Sequence, residues 1–299
     1  MFNNQRKIYF VILLFICFFS LTACRSGSQP ANAEVKMRDI ADDLGRHLKI
    51  PEKVERVISL APNLTENIFA VGAGDRLVGV TTFCNYPEDA QKIQKVGDTL
   101  NPNIETIIAL KPQIVFVSTA SQLETFMKTL ESQNITVFVM APKDLNGVLA
   151  NLRQLGEIFG MPERTTVLLN ELQERIIAVD EQVRDKPKTK TFVQISKEPL
   201  FTIGKESFIT EIIERAGGVS ATKDVPTAYP KISKETALSL NPDVIILSES
   251  PDNLEPNDIF KNSAAVKNKK VFKISADILS RPSPRIVDGL EQIAEALHP

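Results

Sequence analysis

Two stretches of this chain present the same carboxylate in the same setting. "IETIIALKPQIVFV" at 104–117 and "KETALSLNPDVIIL" at 234–247 align without a gap, Glu105 falling on Glu235, and each then runs into a β-branched segment. A glutamate in the first turn of a helix complements the helix dipole, which is one reading of both. The other is that a carboxylate offered twice is half of an ion pair made twice. Nucleophilic and metal chemistry is thinner. There is no G-x-S-x-G turn, and the two histidines, His47 and His298, stand far apart, which suits neither a metal cage nor a histidine-ligated haem. "GAGDRLVG" at 72–79 has the wrong glycine spacing for a dinucleotide loop and follows a helical pattern where that loop follows a strand. Cys84 could serve as a soft metal ligand or as the thiol of a surface enzyme; a small packed side chain is the competing reading.

Short β-branched runs alternating with helical patterns must position these groups. From Arg56, "RVISL", "LVGVTT", "IVFVST" and "ITVFVMA" read as strands. Helices are expected between them: one from Asn63 as cap, one capped by Asn103, and one over 121–133. Residues 144–184 read as helix broken near "GMPE", where Pro162 opens a second helix with Val167, Leu168, Leu172, Ile176 and Val179 on one stripe. Beyond it the alternation resumes, with strands "TFVQI", "DVIILS" and "VFKIS" and helices in "ESFITEIIERAGG", "SKETALSL", 257–267 and 285–297. "LTENIFAVGAG" at 64–74 is echoed by "ITEIIERAGGV" at 209–219, so two matching units recur in the same order. The expected fold is α/β: two Rossmann-like lobes with mainly parallel sheets, joined by a single long helix, with the ligand cleft between the lobes at the strand ends.

The first residues do not belong to that fold. Arg6 and Lys7 precede the apolar run Ile8–Leu21, which is shorter than the ~20 residues of a membrane span, and small residues follow before Cys24. This resembles a lipoprotein signal, with cleavage after Ala23 and lipid on Cys24. The expected organisation is signal 1–23, lipidated flexible tether 24–54, first lobe 55–160, connecting helix 161–186 and second lobe 187–299. The chain carries 35 basic and 37 acidic side chains, and loss of Arg6 and Lys7 makes it more acidic still, leaving no basic surface for nucleic acid. Cys84, the one thiol left after processing besides Cys24, has no internal disulfide partner.

The order of "RVISLAPNLTENIFAVGAGDRLVGVTTFCNYP", "IETIIALKPQIVFV", "FTIGKESFITEIIERAGG", "KETALSLNPDVIIL" and "RPSPRI" is similar to that of the cobalamin- and iron-complex-binding proteins of ABC importers, the class with a helical backbone between its lobes. The vitamin B12-binding type is nearest in pattern, and the resemblance covers about 55–298. It implies an extracytoplasmic, monomeric solute-binding lipoprotein, not an enzyme, that carries a corrinoid to a permease dimer with its ATPase subunits. Glu105 and Glu235 are then the carboxylates that dock into arginine pockets of the two permease subunits. Four loops would face the ligand: Pro62–Asn63; "TTFCNYP" with Phe83, Cys84 and Tyr86; "GKES" with Lys205 and Glu206; and "DILSRPSPR" with Asp277 and Arg281. Within the last, Ser283 and Pro284 read as helix cap and first helical residue. The chain has no tryptophan to stack on a corrin, which keeps an iron–siderophore or a tyrosine-ligated haem as the alternative ligand. A sensory ligand-binding module is the alternative of another class.

Overall fold

Charged residues between 36 and 51, expected as slack tether, instead build a β-hairpin. The computed structural model describes residues 36–118 and 124–299, so the expected signal, Cys24 and the start of the 121–133 helix lie outside the described residues. β1 (Met37–Ala41) pairs antiparallel with β2 (His47–Pro51), Met37 opposite Pro51. The turn between them is held by Asp42, whose buried carboxylate accepts the Leu44 and Arg46 N–H groups at 3.1 and 3.0 Å and the Arg46 guanidinium at 2.7 Å. Arg46 also donates to the Val137 carbonyl at 2.7 Å, and the Asp43 N–H to that of Val139 at 3.1 Å, which docks the hairpin on the first lobe. The apolar signal was there at period two, in Ile40, Leu48 and the fully buried Ile50, but the charges that serve the turn masked it.

The first lobe is a parallel sheet in the order β4 (Leu77–Val80), β3 (Val57–Ser59), β5 (Ile114–Val117), β6 (Thr136–Val139). Helices α1 (Pro62–Ala70), α2 (Ile104–Ala109) and α3 (Glu124–Glu131) alternate with these strands. Successive strand residues face opposite ways. Ile114 and Phe116 therefore enter one apolar cluster, and Val115 and Val117 another on the far face.

Two helices then lead across. α4 (Leu145–Phe159) starts at Asp144, whose carboxylate accepts the Gly147 N–H at 2.7 Å, and stops at Gly160 in the left-handed region. α5 (Pro162–Val183) opens on Pro162 as expected, and its 22 residues rise about 33 Å. Its buried stripe is Thr165, Leu169, Leu172, Ile176, Val179 and Val183. Leu168 lies at the edge of that stripe, and Val167 is 68% exposed, two residues and about 200° from the seam that Leu169 sets.

The second lobe orders its main strands β11 (Val271–Ser275), β10 (Val244–Glu249), β7 (Thr189–Ser196), β8 (Phe201–Thr202), with β9 (Gly218–Ser220) also on β7. All these pairings are parallel except β7 with β8. Its helices are α6 (Phe208–Arg215), α7 (Lys234–Leu240), α8 (Ala264–Lys267), α9 (Ala276–Ser280) and α10 (Ile286–Leu297). The helical stretch expected at 257–267 is split into a 3-10 turn, Asp258–Phe260, and α8. Among the described residues no helix is long and apolar enough to cross a membrane.

The repeat seen in the sequence is a repeat of structure. Asn103 caps α2 by accepting the Thr106 N–H at 2.9 Å, and Ser233 caps α7 by accepting that of Thr236 at 3.0 Å. Lys111 and Asn241, also equivalent, both take positive φ on the way into β5 and β10. Each lobe has an apolar cluster of its own, around Val115 and Val137 in the first and around Phe192 and Leu247 in the second, but the largest core is shared. It runs from Val57, Phe116 and Leu152 through Leu172 and Ile176 of α5 to Val193, Ile246 and Leu290. Arg175 of α5 pairs with Asp288 and Glu291 of α10, both at 2.6 Å, and these partners raise its pKa above the ordinary arginine value.

Candidate functional site

Strands that run parallel deliver their following loops to one end of the sheet, and the two sheets bring those loops to a shared cleft. It measures about 800 Å³, within the ~300–1,000 Å³ of small-molecule sites. Ser118, Ala141, Pro142 and Lys143 line it from the first lobe, after β5 and β6. From the second lobe come Lys205 and Glu206, both exposed, with Phe208, Glu211 and the 47% exposed Tyr229. Gly204 makes this loop possible: a Cβ there would stand 2.3 Å from the Thr227 carbonyl oxygen and 2.6 Å from that of Val225. Ser207 caps α6 through its hydroxyl, accepting the Ile209 N–H at 3.2 Å.

Glu211 crosses the cleft floor. Its carboxylate accepts the Leu145 N–H, the first of α4, at 2.9 Å. Burial pushes its pKa up, the Leu145 N–H pulls it down, and Asp144 nearby pushes it up again.

A charged bridge closes one side of the interlobe space. Arg281 donates to Glu66 at 2.8 Å, to Asn85 at 2.7 Å and to Asp277 at 2.6 Å, while the Asn85 amide donates to Asp277 at 2.9 Å. Arg285 takes Glu66 with two nitrogens, at 2.9 and 2.5 Å, and lies 4.1 Å from the centroid of the Tyr86 ring. Ser283 donates its hydroxyl to Glu66 at 2.7 Å instead of capping a helix, and α10 begins only at Ile286. Burial works against the Arg285 charge, but Glu66 outweighs it and holds the pKa above the ordinary arginine value. Glu66, Phe69, Tyr86 and Arg285 also line a smaller cavity of about 270 Å³.

The sequence expectations divide here. Lys205 and Glu206 line the main cleft, Asp277 and Arg281 meet in the bridge, Tyr86 flanks it, and Phe83 stands 58% exposed on the same loop. Asn63 does not cap α1: Ala61 holds that position, Pro62 is in the first turn, and Asn63 is buried inside the helix. Cys84 points inward and is 2% exposed, its sulfur 3.1 Å from the Thr65 hydroxyl and 3.2 Å from that of Thr81; a small thiol fills this gap, and it does not face a ligand. Glu66, Asn85 and Arg285 were missed. The one available signal was a glutamate between Leu64 and Ile68 on a helix expected to pack on the sheet, where a charge needs a partner.

Glu105 and Glu235 are exposed, each in the first turn of its helix. Beside Glu105, the Asn103 N–H donates to the Val96 carbonyl, in a segment that pairs with the carboxyl end of β4. Beside Glu235, Lys231 and Ile232 pair with Phe201 and Leu200, and Phe201 lies opposite Ser196 at the end of β7. Both carboxylates thus stand at the carboxyl ends of their sheets, the end that also carries the cleft. The Glu235 carboxyl is held below the ordinary range by its own backbone N–H and the Ser233 hydroxyl. Among the described residues no group of three or more His, Cys, Asp or Glu side chains is arranged to hold a metal ion.

The chain matches the family described as "Periplasmic binding protein" over residues 57–278. It is 28% identical over 301 residues to an uncharacterized ABC transporter substrate-binding lipoprotein, YvrC, of Bacillus subtilis, covering 96% of this chain and 95% of that one. It is 30% identical over 246 residues to the vitamin B12-binding protein of Vibrio vulnificus, covering 81% and 89%. The crystal structure of the periplasmic vitamin B12 binding protein BtuF of Vibrio cholerae superposes with a TM-score of 0.74 at 29% identity, over 83% of this chain and 98% of that one. The chain belongs to the periplasmic binding protein family and is a solute-binding protein of the ABC importer type.

Proposed function

We propose that this protein captures a corrinoid, cobalamin first, in the interlobe cleft and hands it to the permease dimer of an ABC importer driven by its ATPase subunits. It does so as a monomer outside the cytoplasmic membrane, held there by lipid on Cys24. The likeness to vitamin B12-binding proteins over four-fifths of the chain carries this reading. The cleft chemistry agrees with it. Lys205 and Glu206 line the cleft and offer hydrogen bonds to a rim of carboxamides, and Arg281 stands between the lining residues Ser280 and Pro282 with Asp277 as its partner. The exposed rings of Phe83 and Tyr86 on the 82–87 loop offer faces to an apolar macrocycle. The core continuous through α5 favours small opening and closing over wide hinge motion. Glu105 and Glu235, alike in cap, turn and exposure, are the two acidic contacts for a two-fold partner.

A second reading takes a ferric complex or haem as the ligand. It is favoured by the absence of tryptophan and by Tyr86 and Tyr229, both half-exposed, since a phenolate is a ligand for ferric haem. Titration with cyanocobalamin, a ferric siderophore and haemin separates the two. Micromolar or tighter binding of cyanocobalamin is expected; affinity no better than about millimolar, or a haemin complex with tyrosinate absorption, rejects the corrinoid.

A further inference from the structure

Glu66 is a buried carboxylate with more partners than it needs. Its side chain is 2% exposed and lies on α1 of the first lobe, while its partners Arg281, Ser283 and Arg285 all come from the second lobe. A buried charge left unpaired is strongly destabilising, so at least one guanidinium must stay. The geometry tells which. Arg285 binds both carboxylate oxygens, and Ser283 adds a bond to one of them. If Arg281 leaves, neither oxygen is orphaned. If Arg285 leaves, one oxygen keeps only Arg281 and the other only Ser283.

Arg281 differs in its other partners as well. It divides its donors among Glu66, Asn85 and Asp277, and the last two also bond each other, so they retain a partner when it moves. Arg285, by contrast, is backed by the Tyr86 ring at 4.1 Å and has its paired nitrogens committed to Glu66. We infer that Glu66 and Arg285 are positioning residues for the ligand site: their two-nitrogen ion pair locks the 281–285 segment to α1 and thereby releases Arg281 from structural duty, so that it can turn to a ligand. The inference rests on the proposed ligand contact of Arg281, which stands between the cleft-lining residues Ser280 and Pro282. It adds a residue pair whose effect on binding passes through Arg281 alone.

The test is a set of substitutions read by cyanocobalamin affinity and by urea unfolding. Arg285→Ala should weaken binding about tenfold, the weight of one charge-assisted hydrogen bond, because Arg281 is drawn onto Glu66. Adding Glu66→Gln should restore affinity to within about threefold of wild type, since a neutral amide no longer claims Arg281. Arg281→Ala combined with Arg285→Ala should bind no worse than Arg281→Ala alone. A merely structural ion pair gives none of this rescue. Arg285→Lys, which keeps the charge and loses the fork, should fall between wild type and Arg285→Ala and serves if the alanine variant does not fold. Unchanged affinity in Arg285→Ala and Arg285→Lys, or no rescue by Glu66→Gln, overturns the inference. If wild type does not bind cyanocobalamin, the corrinoid reading fails separately and the unfolding cycles decide. Coupling of Glu66 to Arg285 larger than to Arg281 sustains the inference, and equal or reversed coupling overturns it.

Discussion

Cys84 and Glu211 show how a residue's surroundings, more than its type, decide what it does. The Cys84 thiol is enclosed by Thr65 and Thr81, so Cys84→Ser should change ligand affinity by less than about twofold, the range of substitutions that touch no functional feature. A loss of binding or of a measurable turnover would return Cys84 to the site. Glu211 sits beside Asp144 and Glu214, with Arg215 and the Leu145 N–H opposing them, and burial raises its pKa. Its folded carboxyl keeps its proton to higher pH than the unfolded one. The stability this contributes is therefore full below the ordinary glutamate pKa and is lost as pH rises through the raised folded value. Urea unfolding across that window should show a downward slope that Glu211→Gln flattens; parallel profiles contradict it. Residues whose partners are local were legible in the sequence, as with the cap Asn103. Glu66 was not, because its partners lie 215 to 219 positions away and only the fold brings them together.

At the scale of elements, the alternation of strands and helices was readable where an element has its own period and its own cap or breaker. Asp144 defines where α4 starts, Gly160 where it stops and Pro162 where α5 starts. The hairpin at 37–51 was hidden because its charged residues are spent on a turn and a sheet edge, and no spacing rule announces that. The α5 stripe was displaced for a similar reason, since only the packing partner distinguishes Leu169 from Val167. Two substitutions probe this level. Asn103→Ala and Ser233→Ala should each destabilise by about 1 kcal/mol, measured by denaturant unfolding, because each removes the acceptor for one helical N–H. Gly156→Ala should cost about 1–3 kcal/mol, since its Cβ would meet the Thr165 hydroxyl at 2.3 Å where α4 packs on α5. A neutral Gly156→Ala would mean that the two helices can separate freely.

The whole molecule combines duplication with continuity. Each lobe repeats a capped helix, a first-turn glutamate and an inner strand, yet a single apolar cluster passes from one sheet through α5 to the other. On the proposed docking, duplication would offer a two-fold partner the same contact twice, and continuity would keep the spacing between the two contacts steady while a ligand comes and goes. An exposed carboxylate contributes little to folding, so reversing both charges should leave the fold and the cleft untouched. The most direct measurement is therefore made on Glu105→Arg/Glu235→Arg, with ligand affinity determined on the purified protein and uptake in cells carrying the cognate permease. The account predicts affinity equal to wild type with uptake lost, and each single variant intermediate. Uptake at the wild-type rate with both charges reversed would contradict it.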